Sequence, residues 1–200
     1  MPDSITDSLL AQSGHFLFES GHHGDLWLEL DSLWTRPGLL EPAVAALARQ
    51  LARHQPDALC GPQTGGARLA WLIAAQLDLP CFATERIPPD APPDAKRGQL
   101  YQVRYRLSST DRAAVPNLRV ALVDDVINAG SATRATLEEL TAHGARPVAL
   151  GALLVLNDPA AQLAARYGLP LEALGQKPSH LWAPAVCPLC AQGVPLTTPR

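Results

Sequence analysis

Apolar and polar residues follow two alternating rhythms along this chain, one typical of helices and one of buried strands. Apolar residues spaced by four, three and four predict an amphipathic helix over residues 39–54. Short apolar runs between turn residues predict strands, each followed by a segment with helical periodicity. The predicted strands are 57–62, 80–84, 119–124 and 147–156, and the other predicted helices are 66–79, 131–143 and 160–167. This alternation predicts an α/β fold with a mostly parallel sheet.

One segment, residues 87–116, interrupts the alternation. Four prolines between residues 88 and 93 exclude a helix there, and strict alternation over residues 101–107 predicts one half-exposed strand. An insertion of this length in a compact domain is usually functional and often forms a lid. The alternative is a hairpin without a function.

Composition limits the class of protein. Two hundred residues with 47% apolar content predict one domain, residues 1–200, without an internal repeat or boundary. A net charge of -3 gives no basic excess for nucleic-acid binding. Residues 1–7 do not resemble a signal peptide, and no apolar run approaches the roughly 20 residues of a membrane helix. With only four cysteines, a cytoplasmic location is expected.

Two of the cysteines form a C-x-x-C motif, Cys187 and Cys190, in a proline-rich tail. A zinc site needs two further ligands, and Cys60 and Cys81 lie in strand-like runs instead. We therefore interpret the motif as a tight structural turn rather than a metal or redox site.

Two adjacent carboxylates, Asp124 and Asp125, follow the apolar run 119–123 and precede a short loop and a predicted helix. In open α/β sheets, ligands bind at this carboxyl end of the strands. Free N–H groups at a helix start suit a phosphate, and paired carboxylates suit vicinal hydroxyls or a hydrated Mg²⁺. The pattern predicts a sugar-phosphate pocket. The alternative is an ordinary strand–turn–helix capped by Ser131 or Asn128.

Two further segments suit anions. The glycine-rich turn 61–67 lies between a predicted strand and a helix, where backbone N–H groups can approach a phosphate. Arg86 follows the next strand and offers a permanent, bidentate positive charge. The alternative for the glycine-rich turn is a tight connection without a ligand, and the alternative for Arg86 is a surface salt bridge.

The stretch 120–133 resembles the phosphoribosyl-pyrophosphate motif of type I phosphoribosyltransferases. The resemblance implies that Asp124 and Asp125 contact the ribose hydroxyls as catalytic residues, with Mg²⁺ held indirectly through the sugar pyrophosphate. It also implies a hood that includes a tail from about residue 168 to 200, a lid over residues 87–116, and a homodimer. The implied phosphate and pyrophosphate contacts are Asn128, Ala129, Gly130, Ser131, Ala132, Thr133, Thr64, Gly65, Gly66 and Arg86.

Within that family the chain most resembles orotate phosphoribosyltransferases. Arg134 matches the position of an arginine that binds the orotate carboxylate, and residues 18–30 resemble the segment that closes over the base. In that segment Trp27 is either core or a wall of the base site, and the adjacent histidines at 22 and 23 are interpreted as a polar turn. The tail 187–196 resembles that of another group of these enzymes.

Three positions depart from the orotate pattern. Glu19 stands where many of these enzymes have lysine, Asn128 replaces the usual threonine, and the lid lacks their lysine-containing run. Lys96 and Arg97 are the candidates for the catalytic lysine and its neighbouring substrate contact, by position alone.

The implied reaction transfers ribose 5-phosphate from phosphoribosyl pyrophosphate to orotate and releases pyrophosphate. Two other functions stay open. One is transfer to a different base in salvage, which Glu19 and Asn128 favour. The other is a regulator that binds phosphoribosyl pyrophosphate without turnover, which the altered lid favours.

Overall fold

The computed structural model of this protein describes residues 10–18, 20–88, 103–156 and 158–198. The strands are β1 Leu10–Leu17, β2 His23–Glu29, β3 Ala58–Pro62, β4 Cys81–Ile87, β5 Arg104–Leu107, β6 Arg119–Ile127, β7 Arg146–Leu156, β8 Leu171–Lys177 and β9 Leu181–Trp182. The helices are α1 Asp31–Trp34, α2 Pro37–Ala52, α3 Gly65–Leu77, α4 Ser109–Ala114, α5 Ser131–Ala142, α6 Pro159–Tyr167 and α7 Pro188–Ala191.

The core is a six-stranded sheet in the order β5-β4-β3-β6-β7-β8. Every neighbouring pair is parallel except β4–β5, so β5 is an antiparallel edge strand. Because parallel strands are joined by crossover helices, both faces of the sheet are covered. The predicted α/β fold with a mostly parallel sheet is confirmed.

Alternation along β6 divides the core into two layers. Ala121 and Val123 pack with α2 and α3 on one face. Val120 and Leu122 pack with α5 and α6 on the other. All four side chains are fully buried, as expected for a central parallel strand whose successive residues point to opposite faces.

A second, three-stranded sheet forms a hood in the order β1-β2-β9, with both pairs antiparallel. Between the pairs Ser13–Leu26 and Phe16–Gly24, two residues of β1 stand opposite one residue of β2, which is a β-bulge. The C-terminal tail lies beside this hairpin, where the Thr197 N–H donates to the His15 carbonyl at 2.8 Å.

Several predicted boundaries differ from the structure. Strand β6 continues past the acids to Ile127, and β4 reaches Ile87, because both strands keep their hydrogen-bonded neighbours beyond the apolar residues. A short helix, α4, follows β5 within the segment predicted to be irregular; Ser108 caps it by accepting from the Asp111 N–H at 3.1 Å. Strand β8 belongs to the core sheet, so of the tail 168–200 the hood takes only β9 onwards.

No helix among the described residues is long and apolar enough to cross a membrane.

A buried hydroxyl pair fixes α5 to the sheet. The Oγ1 atoms of Thr84 in β4 and Thr136 in α5 lie 2.7 Å apart, and both residues are completely buried. Helix α5 begins directly after the loop that follows β6. The pair therefore helps to position the helix start relative to the strand ends.

We expect Thr136→Val to lower the free energy of unfolding by about 1–3 kcal/mol, because it leaves the Thr84 hydroxyl buried without its partner. The double variant Thr84→Val/Thr136→Val should recover part of that loss. Urea denaturation measures both. The matched control is Thr141→Val on the same helix, whose hydroxyl only donates to the Leu137 carbonyl of the preceding turn. An equal loss in Thr136→Val and Thr141→Val would contradict this role for the buried pair.

Candidate active site

The carboxyl ends of β3 and β6 meet the hood at a cavity of about 400 Å³. The sheet contributes Asp124 and Asp125, and the loop after β3 contributes residues 62–65. The hood closes the opposite side with Phe18 and Trp27, and Tyr105 of β5 adds a third aromatic side chain. The cavity therefore has one acidic wall and one aromatic wall, which suits a molecule with a hydroxylated part and a flat part.

Asp124 is buried and Asp125 is half-buried, and hydrogen bonds from nearby groups hold both carboxylates. The Asp125 N–H donates to Asp124 Oδ1 at 3.1 Å, and the Thr133 hydroxyl donates to Asp124 Oδ2 at 3.3 Å. Burial raises the pKa of Asp124 well above its usual range, and repulsion from Asp125 raises it further. Burial also raises the pKa of Asp125, against a hydrogen bond from the Val126 N–H.

The loop after β3 comes so close to the acids that it has no room for side chains at two positions. A Cβ on Gly65 would overlap the Asp125 carboxylate, and a Cβ on Gly66 would lie 2.7 Å from Asp124 Oδ1. The peptide bond between Gln63 and Thr64 in this loop is cis. The two glycines predicted to contact pyrophosphate are therefore also required for a steric reason, because a side chain at either position would collide with the acids.

A smaller cavity of about 150 Å³ lies beside the first and is lined by the loop 126–133. Gly130 precedes α5 with a left-handed φ of 72°, and no side chain of the described residues caps the helix there. The first-turn N–H groups are therefore available to an anion. Asn128 lines both cavities, and its buried Oδ1 has no hydrogen-bond partner among the described residues.

The structure thus brings most of the predicted phosphate contacts together. Residues 128–133 surround the smaller cavity, while Thr64 and Gly65 line the larger one. Gly66 lies behind Gly65 at the start of α3.

Two predicted residues that the structure describes, Arg134 and Arg86, lie outside the walls of both cavities. Arg134 is in the first turn of α5 but outside both described cavity walls, and its Nη1 contacts Glu138 Oε1 at 2.8 Å. Arg86 is exposed near the end of β4. Lys96, Arg97 and Glu19 lie outside the described residues, so their roles stay predictions.

Sequence reasoning missed Tyr105 as a cavity residue, included Phe18 only as part of the segment expected to close over the base, and left Trp27 between core and wall. Trp27 lines the cavity. Tyr105 is 6% exposed and comes from a strand that is far from the acids in sequence. The only available signal was the alternation in residues 101–107, which predicts a strand but not its neighbours.

A model of a known protein family matches most of the chain, including the core sheet and both loops at the acids. The family model described as "Phosphoribosyl transferase domain" matches residues 37–176. The chain belongs to the phosphoribosyltransferase family. This confirms the family resemblance found in the sequence.

Among curated phosphoribosyltransferases, the chain is similar to orotate phosphoribosyltransferases over nearly its whole length. It is 26% identical to the one from Caldanaerobacter subterraneus subsp. tengcongensis over 186 residues, which cover 93% of this chain and 88% of the relative. It is 29% identical to the one from Carboxydothermus hydrogenoformans over 188 residues, with the same two coverages.

Solved structures of phosphoribosyltransferases share the fold. Orotate phosphoribosyltransferase from Aeropyrum pernix has a TM-score of 0.62 at 23% identity, covering 83% of this chain and 87% of that one. The Giardia lamblia APRTase complexed with 9-deazaadenine has a TM-score of 0.68 at 14% identity, and the match covers 87% of this chain and 98% of that one. The fold is thus common to enzymes named for different bases.

We expect Asp124→Asn to raise the melting temperature of the ligand-free phosphoribosyltransferase at neutral pH. A carboxyl whose pKa is raised in the folded state binds its proton more tightly there than in the unfolded chain. It therefore destabilises the fold as pH rises from about 4, the ordinary carboxyl value, through the higher native pKa. Asparagine has no such charge, so the gap between variant and wild type should widen with pH and vanish below about 4.

Differential scanning fluorimetry across that pH range measures the gap. Asp158→Asn, a change at an exposed residue, is the control and should leave the curve unchanged. A variant that melts below the wild type at neutral pH would contradict the cost assigned to the buried pair.

Proposed function

We propose that this protein transfers ribose 5-phosphate from phosphoribosyl pyrophosphate to orotate, giving orotidine 5'-phosphate and pyrophosphate. The observation that carries the proposal is the cavity in which paired acids, a glycine loop and an uncapped helix start lie together. Family membership supports the phosphoribosyl donor. The names of the curated relatives, matched over 93% of this chain, support orotate as the base.

In this proposal Asp124 and Asp125 accept hydrogen bonds from the ribose hydroxyls. Such contacts and a nearby cation would offset the burial of the two charges, which otherwise destabilises the site. The N–H groups at the start of α5 and the Asn128 side chain would hold the 5-phosphate. Thr64 and Gly65, with Arg86, would face the pyrophosphate.

Magnesium is the proposed cofactor, and the residues present fit it by their chemistry. Hard oxygen donors suit Mg²⁺, which keeps several waters and binds through few carboxylates together with substrate phosphates. Asp124 and Asp125 are the carboxylates that line the cavity, so they would orient the ion indirectly. When bound, Mg²⁺ would neutralise charge on the departing pyrophosphate.

The protein's own contribution to the rate would be positioning and charge stabilisation. Holding the base and sugar in line can supply roughly 7–11 kcal/mol in favourable cases. Phe18, Trp27 and Tyr105 would hold the flat base and keep water away from the activated sugar. Lys96 and Arg97 stay the predicted lid residues whose positive charges would stabilise the departing pyrophosphate.

Arg134 is the proposed partner of the orotate carboxylate. It lies one residue beyond Thr133, which donates to Asp124, and its pairing with Glu138 is an exposed i,i+4 contact. Such pairs contribute only about 0.3–0.5 kcal/mol, so a substrate carboxylate could compete for the guanidinium.

A homodimer and a cytoplasmic location also remain proposals. The dimer is supported by the resemblance, and by Trp71 on α3, whose side chain is 64% exposed beside Trp34 and Leu72. The mass of the protein in solution would test it. The cytoplasmic location is supported by the four cysteines, all of which are free.

We expect the purified protein to consume orotate when phosphoribosyl pyrophosphate and Mg²⁺ are present, followed by loss of orotate absorbance. Chelation of Mg²⁺ should stop turnover, and Asp124→Ala should lower it by more than about 100-fold, as removal of a directly acting group commonly does. Asp158→Asn should retain full activity.

Turnover of another base instead of orotate would support the salvage alternative. Binding of phosphoribosyl pyrophosphate without turnover of any base would support the regulator. Either result would contradict the orotate proposal.

We expect Arg134→Ala to raise the KM for orotate about 10- to 100-fold, which corresponds to the free energy of one charge-assisted hydrogen bond. The KM for phosphoribosyl pyrophosphate should change far less. Arg112→Ala is the matched control, because Arg112 also pairs with a glutamate of α5, at 3.0 Å from Glu139 Oε1, but lies outside the cavity walls. Equal effects of Arg134→Ala on both KM values would contradict the carboxylate contact.

A further inference from the structure

Four potential metal ligands converge in the hood, and none of them lines either of the two cavities beside the acidic pair. Their ligand atoms all lie within 4.8 Å of one another, and they form what we call the His–Cys cluster: His15, His23, Cys187 and Cys190. The two histidines come from β1 and β2, whereas the two cysteines flank and enter α7 in the tail. None of the four takes part in the proposed transfer reaction.

Four of the six distances within the His–Cys cluster lie close to the edge lengths of a tetrahedral zinc site. His15 Nε2 lies 3.1 Å from His23 Nδ1, 3.4 Å from Cys187 Sγ and 3.8 Å from Cys190 Sγ, and Cys190 Sγ lies 3.3 Å from His23 Nδ1. Ligands at ordinary zinc bond lengths in a regular tetrahedron are separated by about 3.3 Å for two nitrogens and about 3.6 Å for nitrogen and sulfur. The four ligand atoms are thus already close enough together for one ion to reach all of them after small side-chain shifts.

Hydrogen bonding alone does not account for this arrangement. His15 Nδ1 donates to the Val194 carbonyl at 2.8 Å, so the Nε2 of the neutral ring has one lone pair and no proton. Three polar atoms lie within 3.8 Å of His15 Nε2, but its single lone pair can accept a hydrogen bond from only one of them. A metal ion would satisfy all four ligands at once.

The Val194 contact is itself typical of a metal-binding histidine. Such a histidine usually donates its second ring N–H to a carbonyl or carboxylate, which fixes the tautomer and aims the other nitrogen at the metal. The β-bulge in β1 spans Gly14 and His15, so the strand irregularity falls at the residue whose side chain enters the cluster. His15 and His23 are only 2% and 4% exposed, and Cys187 is 4% exposed.

We propose that the His–Cys cluster binds one structural zinc ion that fastens the C-terminal tail to the β1–β2 hairpin. Two thiolates and two imidazoles in a tetrahedron favour zinc over magnesium or calcium, which prefer oxygen ligands. Because protein side chains fill all four positions, none is left for a substrate or water, as in structural rather than catalytic zinc sites.

The position of the ion gives it a structural consequence. The hairpin carries Trp27, which lines the main cavity, and the tail pairs with β1 through hydrogen bonds on either side of Phe16. Zinc would therefore stabilise the hood that forms the aromatic wall of the cavity. This inference does not depend on which base the enzyme uses.

The test is metal analysis of the full-length, tag-free protein purified from zinc-supplemented medium without chelator. We expect about one zinc per chain, the stoichiometry of a single closed site. The variant Cys187→Ser/Cys190→Ser should lose it. Cys81→Ser is the matched control; burial raises the pKa of Cys81 to about 11, which keeps that thiol protonated, and the variant should keep the zinc.

Cobalt substitution tests the ligand set. After zinc removal, Co²⁺ should give the sulfur-to-metal charge-transfer band and intense visible bands of a tetrahedral site with two thiolates. Should the double variant fail to fold, Cys190→Ser alone changes the exposed cysteine and should weaken the charge-transfer band and speed zinc loss to a chelator. Chelation should also lower the melting temperature of the wild type and not that of a folded double variant.

Three results would overturn the proposal. One is wild-type protein that holds no zinc and gives only the weak spectrum of hydrated Co²⁺. Another is a Cys190→Ser variant that holds zinc as tightly as the wild type. The third is mass spectrometry showing that Cys187 and Cys190 exist as a disulfide in the protein as purified.

Discussion

The packing of two buried carboxylates against a glycine loop is the constraint on which the whole site depends. Asp124 and Asp125 lie near the carboxyl end of β6, and Gly65 and Gly66 pass so close that any Cβ would collide with them. Burial raises the pKa of both acids, so ionising them lowers the stability of the ligand-free protein. A hydroxylated ligand with an associated cation would offset that cost, so such a site could bind its ligand strongly although it weakens the ligand-free fold.

The parallel sheet makes this packing possible. Strands β3 and β6 are neighbours, so the loop after one and the acids of the other meet at the same edge. The neighbouring strand β4 anchors α5 through the buried Thr84–Thr136 pair. Helix α5 in turn supplies the uncapped N–H groups next to the acids. The loop after β3 and the loop after β6, which are separate in sequence, thus meet in one candidate site.

The hood completes the site from the opposite side and is built differently. It is a small antiparallel sheet with a bulged strand, held partly by contacts with the C-terminal tail. Small sheets bury little apolar area, so they gain most from a metal or another cross-link. A zinc ion in the His–Cys cluster would give the aromatic wall a rigidity that its few strands do not provide. Binding of the base would then depend on residues at both ends of the chain.

The sequence by itself determined the α/β fold and the position of the acidic pair, the glycine loop and the loop 126–133 at the strand ends. Each of these depends on local order, an apolar run followed directly by the chemistry it presents, so periodicity and spacing suffice to find it. The extensions of β4 and β6 were missed, because hydrogen bonds to neighbouring strands and not hydrophobicity decide where a strand ends.

Only the tertiary structure decided that Tyr105 and Trp27 share a cavity wall. It also overturned two local interpretations. His23 is buried in β2 rather than part of a polar turn, and the C-x-x-C motif begins a short helix beside two histidines. His15 and Cys187 are 172 residues apart, a separation at which spacing carries no information. Such contacts arise when hydrophobic burial brings the two ends of the chain together, and a linear pattern does not record that closure.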